Sequence, residues 1–143
     1  MTRQILVPVD GSPKSLEGLE YAVTTYSEAE ITVLSVMTPH DAWNDGDGSP
    51  AQDQFESWYT DARDETDDVL DDARELASSH GTEITTAVDT GEPWRAIVDY
   101  AEGNDIDHII MGSHGRDDES PLPLGSVAET VMRRSPVLVS VVR

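Results

Sequence analysis

The chain has 143 residues, with 29 acidic side chains against nine basic ones and a formal net charge of −20. An acidic surface of that strength repels nucleic acid and anionic membranes, which argues against both as partners. There are no cysteines, so disulfides, thiolate metal sites and cysteine nucleophiles are excluded.

This length predicts one domain, residues 1–143, large enough to bury a proper core. No apolar run approaches the roughly 18 residues that a membrane span needs. A strand-like run begins at Gln4 with no signal peptide ahead of it. The expected location is therefore cytoplasmic. Lys14 is the lone lysine, and an acid-rich, lysine-poor composition suits a halophile, where salt at about 1 M screens charge over about 3 Å.

Residues 4–9 (Gln-Ile-Leu-Val-Pro-Val) form a short apolar run, as in a strand buried on both faces; Pro8, lacking an N–H, suits the strand's end. A helix follows, with Ser12 as N-cap and Pro13 at the first helical position. Its apolar face is Leu16, Leu19, Val23 and Tyr26. Residues 31–37 form a second apolar strand. Residues 38–51, which include Trp43, read as a loop serving either as a lid or as a linker.

The longest helical pattern covers 54–80, with Phe55, Tyr59, Ala62, Thr66, Val69, Ala73 and Leu76 on one stripe. Asp61, Asp64, Asp67, Asp68, Asp71 and Asp72 fall mostly off it and make a solvated acidic face. Gly81 stands where a C′ residue would end the helix. Residues 83–88 are a third strand, and a helix then runs through Trp94, Ile97, Tyr100 and Ala101 until Gly103 stops it. Residues 107–111 are the fourth strand. A last helix starts at Ser126, Pro136 breaks it, and a fifth strand opens at Val137 and closes at Val142.

Between the fourth strand and the last helix lies the string Gly112-x2-Gly115-x9-Gly125-Ser126. Glycine lets a backbone approach a ligand closely and turn its amides toward an anion. A helix N-terminus adds N–H groups and the positive end of a dipole, which favour phosphate. Ser126 and Glu129 have capping-box spacing, and Arg133 and Arg134 suit the helix's far end. The string is neither a Walker P-loop nor a Gly-x-Gly-x-x-Gly fingerprint.

Alternation of strands and helices predicts an α/β fold: a parallel sheet with helices on both faces and right-handed crossovers. Ligands in such sheets sit beyond the carboxyl ends of the strands, where the strand order reverses. That places three segments on one rim: 8–11 with Asp10, 36–38, and 111–126.

The glycine string, together with residues 7–12 (Val-Pro-Val-Asp-Gly-Ser), 91–93 (Gly-Glu-Pro) and 109–116 (Ile-Ile-Met-Gly-Ser-His-Gly-Arg), resembles the universal stress protein family over nearly the whole chain. The resemblance implies a five-stranded, Rossmann-like parallel sheet of order 3-2-1-4-5, with an ATP-type site between strands one and four. Carried over residue by residue, it implies that Pro8, Val9 and Asp10 line the site, Asp10 near the ribose and phosphates. The backbone at Val36 meets the adenine, and Met111 and Gly112 line the ribose side. Gly115, Arg116, Gly125, Ser126 and Val127 hold the phosphates through amides, a hydroxyl and one cation. The implied ligand is ATP (or AMP or ADP), with Mg²⁺ on the phosphates. The resemblance also implies a homodimer paired through residues 137–142, which would otherwise be an exposed sheet edge. Asp117, Asp118 and Glu119 add three negative charges to the phosphate loop, to be offset by Arg116, the helix dipole and Mg²⁺.

Other chemistry is sparse. His114 is the histidine nearest the implied phosphates, and reads as a surface loop residue. His40, His80 and His108 fall in separate segments without zinc-ligand spacing. Ser113 and Ser126 carry no triad logic readable from their order, and Asp10 either caps the turn or binds a ligand. No general base or arginine finger is evident. The expected function is an ATP-binding regulatory or stress-response protein with at most weak ATPase activity. The alternatives are a slow ATPase or nucleotidyl-transferring enzyme, and a dimeric interaction module with no bound nucleotide.

Overall fold

The computed structural model describes residues 2–39, 52–115 and 124–143. Nine elements follow one another among these: β1 (Gln4–Pro8), α1 (Pro13–Thr25), β2 (Glu30–Met37), α2 (Gln52–Ser79), β3 (Thr85–Thr90), α3 (Pro93–Gly103), β4 (His108–Gly112), α4 (Ser126–Arg134) and β5 (Leu138–Val142). The strands form one parallel sheet of order β3-β2-β1-β4-β5. This is the α/β architecture and the strand order expected from the sequence.

Two apolar layers hold the helices to the sheet. On one face Ile5, Val7, Val33 and Ile110 meet Leu19, Ala22 and Val23 of α1 and Val69, Leu70, Ala73 and Ala77 of α2. On the other, Leu6, Leu34, Ile109 and Met111 meet Ile97 and Ala101 of α3 and Ala128 and Val131 of α4. Residues odd and even along β1 thus divide between the two faces, as the two-residue period of a strand requires. The Arg134 guanidinium lies over the Trp94 ring at 5.0 Å, joining the end of α4 to the start of α3.

Several boundaries and faces differ from the sequence reading. The first strand ends at Pro8 and not at Val9, β3 lies two residues later than 83–88, β4 begins at His108, and β5 begins at Leu138. The buried face of α1 is Ser15, Gly18, Leu19, Ala22 and Val23, with Leu16 and Tyr26 only half-buried. The reason is a close crossing: a Cβ at Gly18 would stand 3.2 Å from the amide nitrogen of Gly112, so α1 turns this small side to β4. In α2, burial starts only at Thr66, and Phe55 and Tyr59 of the expected stripe are each 44% exposed. A helix of 28 residues is about 42 Å long, well beyond strands of five to eight residues, so its first half runs past the sheet.

Helix ends also show the local chemistry. Gly81, at φ 73°, lets the Thr82 N–H reach back to the Ala77 carbonyl at 2.9 Å, ending α2 as expected. Gly103 is instead the last residue inside α3, and the left-handed turn that follows is taken by Asp105 at φ 54°. The capping box at Ser126 does not form. Gly125 is the N-cap, without a side-chain cap bond, and Ser126 is already helical. The Glu129 carboxylate accepts from Arg133 at 2.8 Å.

Candidate functional site

The crossover pattern opens a cleft at the centre of the sheet. β1 pairs with β2 from Gln4↔Glu30 through Pro8↔Leu34, and the Val9 N–H still donates to the Leu34 carbonyl at 2.9 Å. Its ladder with β4 holds only two pairs, Ile5↔His108 and Leu6↔Ile109. Beyond Leu6 the two strands part, at the point where the order of the sheet reverses. The space between them is about 580 Å³ including its open mouth.

The cleft has an apolar half and a polar half. Pro8, Leu34, Val36 and Met111 line it from the sheet, while Pro93 and Ile97 of α3 and Val127 and Ala128 of α4 line it from the helices. Val9, Asp10, Ser15, Ser113, His114, Gly115 and Gly125 also border it. Of the residues named from the sequence, Pro8, Val9, Asp10, Val36, Met111, Gly112, Gly115, Gly125 and Val127 line this one space. Ser126 is exposed and is not among the lining residues. Arg116, the acidic run 117–119, His40 and most of the 38–51 loop with Trp43 lie outside the described residues.

Val36 owes its place to strand geometry. The Leu34 carbonyl points to β1, where it meets Val9, and the Met37 carbonyl points to β3, where it accepts from Gly91 at 2.9 Å. Alternation therefore turns the N–H and C=O of Val36 toward β1, beyond the last β1–β2 pair, Pro8↔Leu34. A backbone donor and acceptor stand side by side there, with no backbone partner among the described residues.

Asp10 does two things at once. Its Oδ1 accepts the Ser12 N–H at 2.9 Å, holding the turn into α1. Ser12 Oγ in turn accepts the Ser15 N–H at 3.1 Å, and the Ser15 hydroxyl donates to the Ser12 carbonyl at 2.9 Å. This locked turn aims the second oxygen, Oδ2, across the cleft mouth, where a Cβ at Gly115 would come within 2.9 Å of it.

The glycines of the loop have distinct uses. Gly112 is packed against α1: a Cβ there would stand on the Lys14 carbonyl and 2.9 Å from the Ser15 nitrogen. Its lack of a side chain thus serves helix packing, which the spacing alone had assigned to ligand approach. The Gly125 N–H donates to the Ser113 carbonyl at 2.6 Å, and the Ser113 N–H donates to the Val142 carbonyl at 2.9 Å. Those bonds bring the two ends of the loop together and use the Gly125 amide. The first intrahelical bond of α4 is Glu129 N–H to the Gly125 carbonyl, 3.0 Å, so the amides of Val127 and Ala128 come before it at the cleft wall. These, with the dipole end, are an anion-binding arrangement.

The histidines do not converge. Ser113 Oγ lies 3.0 Å from His114 Nδ1 at the cleft, whereas His108 is fully buried in β4, with Nε2 2.8 Å from Ser140 Oγ. Burial, and secondarily the Arg3 guanidinium, push the His108 imidazole below its ordinary value. Among the described residues no three His, Asp or Glu side chains are grouped to hold a metal, and no helix is long and apolar enough to cross a membrane. Sequence reasoning missed Pro93 and Ile97 as cleft residues, because nothing local marks a helix that reaches the site from another layer.

Comparison with known proteins gives concordant matches. The sequence model of the Universal stress protein family covers residues 1–143. Universal stress protein MJ0531 of Methanocaldococcus jannaschii is 31% identical over 143 residues, spanning 96% of this chain and 81% of that protein. The structure of universal stress protein UspA from Lactobacillus plantarum superposes with a TM-score of 0.82 at 26% identity, covering 99% of this chain and 97% of that one. A universal stress protein crystallised in complex with cAMP matches with a TM-score of 0.71 at 25% identity, over 99% of this chain and 97% of that one.

Proposed function

The chain belongs to the universal stress protein family, and from that premise we propose that it is an ATP-binding regulatory protein of the stress response. The nucleotide lies in the cleft between β1 and β4. The observation that carries this reading is the Val36 backbone pair at the cleft's apolar end. An adenine edge offers an amino donor beside a ring-nitrogen acceptor, the complement of one C=O and one N–H. A related protein was crystallised with an adenine nucleotide, cAMP, which supports the same ligand class.

At the other end, the amides of Val127 and Ala128 and the α4 dipole favour phosphate. Gly115 allows a phosphate to approach its backbone, and Arg116 adds a cation from the adjoining segment. Asp10 is the one carboxylate bordering the cleft among the described residues. Mg²⁺ commonly takes one or two carboxylates together with phosphate oxygens, so Asp10 fits a metal carried in by the polyphosphate. The ion would offset phosphate charge beside that carboxylate. No described side chain stands as an activated base, which supports binding without rapid turnover.

We also place a homodimer contact on β5, which forms one edge of the sheet and carries Leu138, 61% exposed. The test of the nucleotide reading is chemical identification of what purified protein releases on mild denaturation in high salt. ATP, free or as its hydrolysis product, is expected. A preparation that releases no nucleotide and takes up none from a Mg-ATP solution would contradict it.

A further inference from the structure

The apolar half of the cleft is a slot with two walls. Pro8 and Leu34 are register partners on neighbouring strands, and Val36 follows Leu34 on the same face, so these three make a continuous apolar floor at the sheet's edge. Facing them from the next layer are Pro93, the first residue of α3, and Ile97 one turn later. Ile97 is 2% exposed and belongs to the same apolar cluster as Leu34. α3 contributes no polar side chain to the cleft lining. The backbone donor and acceptor of Val36 stand at the border of this slot. A flat heteroaromatic ring is the shape that satisfies both features: two apolar faces for the walls and one polar edge for the backbone.

We propose that Pro93 and Ile97 of α3 form the second wall of a base slot and determine specificity for the nucleobase, so that the ring is held between helix and sheet and does not lie on the sheet's open rim. This rests on the nucleotide reading and adds an element to it. The phosphate end of the cleft is built from β1, β4 and α4, whereas recognition of the ring face comes from α3, an element with no part in the phosphate loop. The two halves of the ligand are therefore separable by substitution.

The experiment is a calorimetric titration in molar KCl with Mg-ATP, paired with Mg-tripolyphosphate, which keeps the phosphates and lacks base and sugar, read as competition against ATP. Ile97→Val removes one methylene-sized contact and Pro93→Ala opens the ring at the helix's first position, both mild enough for the fold to be checked by a cooperative melt. Each is expected to weaken ATP about fourfold, the factor for one buried methylene, and to leave tripolyphosphate unchanged. Unchanged ATP affinity in both folded variants would overturn the proposal. So would equal weakening of the two ligands, which would mean a general loosening of the cleft. A parent protein that binds no ATP would overturn the nucleotide reading itself, and the role of α3 with it.

Discussion

Single residues in this protein separate packing from binding within one motif. Gly112 and Gly115 look equivalent in the string of glycines, yet a side chain at Gly112 would strike the backbone of Lys14 and Ser15, while one at Gly115 would meet only the mobile end of Asp10. Gly112→Ala is therefore expected to lower unfolding stability by about 1–3 kcal/mol, the usual cost of overpacking, as read by urea denaturation. Gly115→Ala should stay within about 0.5 kcal/mol of the parent. His108 makes a second prediction. It is buried with no partner at Nδ1, and its pKa is lowered from 6.5 by burial first and by Arg3 second. Below 6.5 the unfolded chain takes up a proton that the folded chain refuses. Its contribution is thus neutral above 6.5 and becomes a penalty as pH falls toward the folded value, at no more than about 1.4 kcal/mol per pH unit. His108→Leu loses the Ser140 bond and should be less stable throughout, but its stability should fall less steeply than the parent's between pH 6.5 and 5. Equal slopes in urea unfolding would show that His108 does not titrate this way.

At the scale of elements, the apolar runs of β1, β2 and β4 were legible because each is buried on both faces and reads continuously. The strand order followed from the family resemblance, and the switch point from the alternation of elements. What was not legible depends on contacts far apart in sequence. A Ser-x-x-Glu string at 126–129 fits a helix that starts at either of two residues, and the Ser113–Gly125 bond decides for the later start by making Gly125 the cap. The stripe of α2 continues in the same period through Phe55 and Tyr59, but the sheet beneath it has ended. Pro93 and Ile97 reach the cleft only through layer packing. β5 carries the element-scale prediction. Each of its residues from Leu138 to Val142 pairs with β4 on one side, leaving the other edge for a second copy. Val139→Pro removes a ladder donor and is expected to convert dimer to monomer in light scattering, whereas an unchanged dimer would place the contact elsewhere.

The whole molecule is governed by its charge. A formal −20 on 143 residues makes self-repulsion the main cost of compaction, and the described ion pairs are exposed neighbours on single helices, such as Lys14–Glu17 and Arg63–Asp67, each worth little. Screening must then come from salt. The melting temperature is expected to rise from dilute buffer to molar KCl, and a flat profile would contradict a salt-dependent fold. The same screening governs entry of a polyphosphate into a cleft bordered by Asp10, so ligand binding is best measured under those conditions. Calorimetric titration of Mg-ATP in molar KCl, parent against Gly115→Val, tests the central claim most directly. Gly115 does not have a positive φ, so valine leaves the backbone unstrained while its side chain fills the mouth against Asp10 Oδ2. The parent should bind, and Gly115→Val should lose ATP while keeping a cooperative melt. Equal affinity in the two proteins would show that the loop after β4 is a connection between elements and holds no phosphate.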